Sequence, residues 1–116
     1  MTRIPQERQP DVPSLPHAVL PDNYVLVDVR EPEEWAAGHA PNAVHIPLGD
    51  LERRMHELPE ARPLVVTCRS RGRASRAVKF LRDQGFDARV LDGGMLEWYT
   101  KNRPMHHEGP GTPVVE

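Results

Sequence analysis

The chain carries a single thiol among its 116 residues, and the setting of that thiol is unusual. Residues 68–73 read Cys68-Arg69-Ser70-Arg71-Gly72-Arg73, and Arg76 follows one helical turn later. A cysteine attacks through its thiolate, which hydrogen-bond donors and nearby cations stabilise. Guanidinium groups also gather anions, so the cluster suits a sulfur nucleophile acting on a small anionic substrate. The plainer account is an inert buried side chain beside a solvated basic face, because free cysteine is among the most buried residue types. An inert cysteine has no need of arginines at 69, 71, 73 and 76, and the spacing favours the reactive thiol. Formal net charge is -2, so these arginines are a local feature and not the footprint of a nucleic-acid binder.

Position in the fold strengthens this reading. Leu64-Val65-Val66-Thr67 is an apolar, β-branched run that predicts a buried strand. From Arg73 to Gln84, Ala74, Ala77, Val78 and Leu81 recur at helical spacing and Gly85 supplies a stop. Cys68 therefore falls at the carboxyl end of a strand, directly before a helix, on the edge where open α/β sheets bind ligands. Main-chain N–H groups of such a turn converge on one point and the helix start adds partial positive charge. These donors predict a thiol pKa below the free value of about 8.5.

Further apolar runs at Tyr24–Val29, Ala43–Ile46 and Ala88–Leu91 read as strands. Pro32–Ala37, Leu51–Leu58 and Met95–Lys101 read as helices, set off by Gly38, Asp50, Pro59 and Gly93-Gly94. Strand and helix in alternation predict an α/β fold: a small, mostly parallel sheet of about five strands with helices on both faces. The folded unit is expected over residues 20–104. Residues 1–19 are polar and broken by Pro5, Pro10, Pro13 and Pro16, and are expected to be flexible, as is the tail 105–116. One cysteine cannot form an internal disulfide, and no segment reaches the roughly 20 apolar residues of a membrane span, so a reducing cytoplasm with no membrane association is expected. His106-His107 lack further ligands at metal spacing, and no metal is expected.

Four ordered segments resemble single-domain rhodanese-like sulfurtransferases. Val25-Leu26-Val27-Asp28-Val29-Arg30-Glu31 resembles the family's Asp-x-Arg segment, and Glu34-Trp35 followed by Gly38-His39-Ala40-Pro41-Asn42-Ala43 resembles its Glu-aromatic and Gly-His segment. Cys68-Arg69-Ser70 with Arg73-Ala74 resembles the active loop, and Leu91-Asp92-Gly93-Gly94 with Trp98 resembles the lead into the last helix. Arg71, where the family often has glycine, and Asn42, in place of a second glycine, depart from the pattern.

The resemblance implies that Cys68 takes sulfane sulfur from a donor such as thiosulfate as a persulfide. Cys68 would then pass it to cyanide or to a thiol, glutathione or reduced thioredoxin included, with no metal or organic cofactor. Arg69, Ser70, Arg71, Gly72 and Arg73 would bind the donor, the backbone N–H groups cradling the outer sulfur and the arginines steering the anion. Asp28 is assigned to a loop arginine and Arg30 to bracing the loop, with an ordinary strand-end ion pair as the equal alternative. His39 is read as structural. Two other functions compete. A related phosphatase cradle needs Cys-x5-Arg, whereas Ala74 stands at that position and Arg73 closes a tighter loop. A non-catalytic binding module commonly lacks the cysteine that this chain keeps.

Overall fold

The computed structural model describes residues 2–116. Five strands, β1 (Ser14–Leu15), β2 (Val25–Asp28), β3 (Val44–His45), β4 (Leu64–Thr67) and β5 (Ala88–Leu91), form one sheet in the order β1-β5-β4-β2-β3, every pairing parallel. The helices are α1 (Pro32–Ala37), α2 (Leu51–Arg54), α3 (Gly72–Asp83) and α4 (Gly94–Thr100), with a further 3-10 turn at Met55–Glu57 completing the stretch expected as one helix after Asp50.

Side chains alternate across the central strands, as the pleat requires. Val25, Val27, Leu64, Val66, Ala88 and Val90 face a core closed by Leu51 of α2 and by Ala74, Ala77, Val78 and Leu81 of α3. Leu26, Val65 and Leu91 face a smaller core closed by Met95 and Trp98 of α4 and by Ala40. All four residues of β2 and of β4 are buried, which is why these strands read as unbroken apolar runs in the sequence.

Both ends of the chain make contacts with the rest of the domain. Ser14 and Leu15 pair with Val90 and Leu91 as the edge strand β1, and Ile4 lies in the larger core. On the other side, His106 forms an antiparallel bridge with His39, the Glu108 N–H donates to the Ala36 carbonyl (3.0 Å), and the Val114 N–H to the Ala37 carbonyl (2.9 Å). A Cβ on Gly38 would lie 2.4 Å from the Val114 carbonyl oxygen, so the glycine is what lets residues 113–115 lie across the end of α1. Proline and polar residues hid these contacts because local composition does not report long-range pairing. The fifth strand of the sheet comes from the segment expected to lie outside the domain.

Candidate active site

The loop from β4 into α3 is held by the start of α4. The main-chain N–H groups of Met95 and Leu96 donate to the carbonyls of Cys68 (2.9 Å) and Arg69 (3.0 Å). Gly94, at φ +54°, makes this approach possible, since a Cβ there would stand 2.6–2.7 Å from the carbonyl oxygens of Cys68, Arg69 and Ser70. With the loop carbonyls drawn toward α4, its N–H groups are left to the thiol. Ala74 N–H, in the first turn of α3, donates to Cys68 Sγ at 3.3 Å, and the N–H groups of Ser70 and Arg73 also favour the thiolate.

Burial opposes them and wins. Cys68 is 1% exposed, and its desolvation pushes the thiol pKa up, against the pull of the Ala74 N–H and of the Arg73 charge. The expected fall below the free value is therefore corrected. Donors converge as anticipated, but the sulfur lies at the closed end of the strand.

The loop arginines have separate employments. Arg73 makes a two-pronged pair with Glu34 of α1, Nη1 to Oε1 at 2.6 Å and Nη2 to Oε2 at 2.9 Å. Hydrogen bonds from Arg73 hold the Glu34 carboxyl below its ordinary pKa, with help from the Glu31 N–H, which donates to Glu34 Oε1 at 3.0 Å. Arg71 donates from Nη1 to the Gln9 carbonyl (3.0 Å) and from Nη2 to the Pro10 carbonyl (3.3 Å). Arg69 is exposed and donates from Nε to the Glu116 main-chain oxygen at 2.7 Å. Ser70 is exposed as well, and a Cβ on Gly72 would meet nothing within 4 Å beyond its chain neighbours and the backbone of its own helix.

Asp28 and Arg30 are brought together, and Asp28 meets no loop arginine. Arg30 donates from Nε to Oδ1 (3.0 Å) and from Nη2 to Oδ2 (2.7 Å) of Asp28, and both side chains are fully buried. The ion-pair alternative is the one realised. Arg30 also donates to the carbonyl of Gly38 (2.8 Å) and to that of Glu34 (3.4 Å), so it braces α1 and reaches the loop only through Glu34. In the same helix, Trp35 stacks with His39 (ring centroids 3.7 Å apart) and with His45 (4.5 Å), and His39 Nδ1 lies 2.7 Å from the Trp35 carbonyl.

Glu34, the partner of Arg73, is a candidate-site residue that the sequence did not single out. Its motif was visible, but nothing local says that a carboxylate in the first turn of one helix grips an arginine 39 residues away. The second omission is the N–H of Ala74, a backbone group that no residue type advertises.

A buried thiol among inward N–H groups at a parallel strand's end, with a clamped arginine closing the loop, defines a strand-to-helix cysteine domain. The comparisons identify it further: residues 17–101 match the model of the rhodanese-like domain, and the chain belongs to that family. It is 42% identical over 81 residues to YtwF of Bacillus subtilis, a protein carrying a provisional sulfurtransferase name, covering 70% of this chain and 79% of that one. A sulfurtransferase of Allochromatium vinosum is 37% identical over 86 residues, covering 72% and 79% respectively. Among solved structures, a rhodanese-related protein from Thermoplasma volcanium superposes with a TM-score of 0.77 at 30% identity, covering 83% of this chain and 99% of that one.

Proposed function

We propose that this chain is a thiosulfate-type sulfurtransferase with Cys68 as nucleophile and sulfur carrier. The Cys68 thiol gives its proton to solvent, and the thiolate attacks the outer sulfur of thiosulfate. The sulfur–sulfur bond of the donor breaks, sulfite leaves with the electron pair, and Cys68 is left as a persulfide. Attack on the outer sulfur by cyanide or by a thiolate then restores the Cys68 thiolate, releasing thiocyanate or a new persulfide. The observation that carries this reading is the convergence of main-chain N–H groups, Ala74 foremost, on Cys68 Sγ. Such fixed donors suit charge that develops on sulfur at this point. Arg73, immobilised by Glu34, sets the loop's size, and Ser70 and Gly72 contribute to its cradle.

A single cysteine allows no internal disulfide to discharge the persulfide, so release is intermolecular. Glutathione or a reduced protein such as thioredoxin would serve as acceptor in a reducing cytoplasm, where we place the protein. No described helix is long and apolar enough to cross a membrane.

Intact-mass measurement tests the assignment. Thiosulfate is expected to add one sulfur atom, cyanide to remove it as thiocyanate, and Cys68→Ser to lose both reactions. A serine variant that turns over at the original rate would refute the role of Cys68. Aryl phosphate hydrolysis dependent on Cys68 and faster than sulfur transfer would favour the phosphatase reading.

A further inference from the structure

Two of the loop's arginines are spent on the chain's own backbone, each on a different end of it. Arg71 holds the Gln9 and Pro10 carbonyls, and the same segment is fastened where Arg76 Nε donates to the Pro5 carbonyl (2.7 Å). There too, the Gln9 N–H donates to Ser75 Oγ (2.9 Å), which itself donates to the Gly72 carbonyl (2.7 Å). Arg69 holds the Glu116 main-chain oxygen at the far end of the segment that Gly38 and Ala37 seat across α1. Cys68, the residue directly before Arg69, is 1% exposed and packs in the larger core. The cavity that adjoins the loop, about 540 Å³, is walled by Gln6, Glu7 and Arg8 with Gly72, Arg73 and Arg76, and Cys68 is not on its surface.

We propose that residues 5–10 and 113–116 are straps latched to the active loop by Arg71 and Arg69, and that a dianion arriving at the loop unlatches them by taking those guanidinium groups. Arg71 holds two neutral carbonyls at the surface, and a guanidinium so bonded is held more weakly than one bonded to an anionic oxygen. At Arg71 the exchange of partners therefore runs toward the dianion. By linkage, whatever the anion contributes to opening the straps, the closed straps withhold from anion binding. The consequence is a loop that covers its thiol at rest and exposes it when a donor is present. Arg71, the departure from the family's pattern, is on this account the latch of the first strap.

The identification of thiosulfate as the donor rests on the function proposed above, so the test uses sulfate, which has the same charge and no sulfur to give. Hydrogen exchange at the Gln9 and Val114 amides reports the two straps. In wild-type protein, sulfate is expected to speed exchange at both amides several-fold over sodium chloride of equal ionic strength. In the Arg69→Ala/Arg71→Ala double variant both should exchange quickly in buffer alone and ignore sulfate. A neutral alkylating agent should correspondingly modify Cys68 several-fold faster in that variant. An amide that stays at its buffer rate in sulfate overturns the latch assigned to its arginine, and a double variant that alkylates at the wild-type rate overturns both. Addition of sulfur from thiosulfate with neither amide disturbed would refute the straps and leave sulfur transfer standing. Disturbed amides in sulfate with no sulfur taken from thiosulfate would do the reverse.

Discussion

At the carboxyl end of β2 the chain closes on itself, whereas at the carboxyl end of β4, the neighbouring strand, it turns a donor toward a buried thiol. The two ends are in register, Asp28 opposite Thr67, and the Val29 N–H donates to the Thr67 carbonyl at 3.0 Å. After β2, Arg30 and Asp28 neutralise each other in full burial and spend further donors on the Gly38 and Glu34 carbonyls. After β4, a neutral thiol meets N–H groups while the arginines stand at the rim. Both ends carry the charged residues that mark a site in sequence, and only at β4 do a thiol and rim arginines stand without a buried charge partner two residues away. A charge whose partner lies two residues away in the same buried turn is scaffold, and the sequence cannot distinguish it from a charge aimed at a substrate.

The largest effect should come from breaking the scaffold end. Arg30→Ala leaves the Asp28 carboxylate buried without its partner, which typically costs about 3–5 kcal/mol. Urea denaturation is expected to show a loss of that size, with sulfur transfer failing because α1, and with it Glu34, is no longer braced. Replacing both partners, Asp28→Leu with Arg30→Met, should recover much of the stability, since an apolar pair leaves no stranded charge. A loss under about 1 kcal/mol for Arg30→Ala would show that the β2 end is not closed in solution.

The clamp on the reactive end comes next. Gly94→Ala must place a side chain in the left-handed region, at roughly 1–2 kcal/mol, and drive it into three loop carbonyls that stand 2.6–2.7 Å away. Destabilisation above 2 kcal/mol and a sharply lower rate of persulfide formation are both expected. Full activity in a folded variant would show that α4 does not set the loop's shape.

Much of the frame behind this contrast was legible in the chain. β4, β5 and α1 lie where their residue patterns place them, and Cys68 sits at the strand-to-helix turn because that location follows from local periodicity. What was not legible depends on distance. Arg71 finds Gln9 across 62 positions and Arg69 finds Glu116 across 47, and no spacing rule anticipates either. The direction of the Cys68 pKa was misjudged for the same reason: the donors are local and were foreseen, but the burial that outweighs them is a property of the whole packed domain. β1 escaped notice because two paired residues between prolines carry no periodicity.

That pKa gives a smaller and more specific test of the reactive end. Because burial holds the thiol protonated above its usual midpoint, the rate of Cys68 alkylation by a neutral reagent should still be rising as pH passes about 8.5, the value for a free cysteine. The linked effect on stability has the opposite slope. The folded state keeps its proton where the unfolded state loses it, so stability should decline as pH rises past the unfolded value and be unaffected below it. Alkylation that levels off near neutral pH would show that the N–H groups of the loop outweigh burial in solution.

The smallest effect is expected at Gly72, the loop's own glycine. Gly72 stands at the start of α3, outside the positive-φ conformations that Gly85, Gly93 and Gly94 adopt, and a Cβ added to it meets nothing within 4 Å beyond its chain neighbours and the backbone of its own helix. Gly72→Ala therefore strains nothing in the resting loop, and by restricting the unfolded chain it should stabilise the protein by about 0.4–1 kcal/mol. Set beside Gly94→Ala, the pair separates two duties that glycine can have around one loop: close approach of backbone at 94, and mere absence of a side chain at 72. Thermal denaturation should show a slightly higher Tm for Gly72→Ala, and thiosulfate kinetics should stay within about twofold, the scale of a few tenths of a kcal/mol. A stable variant with much slower persulfide formation would be the informative failure. It would mean that the loop passes through a backbone conformation at Gly72 that the resting structure does not contain, and that the cradle forms only as the donor enters.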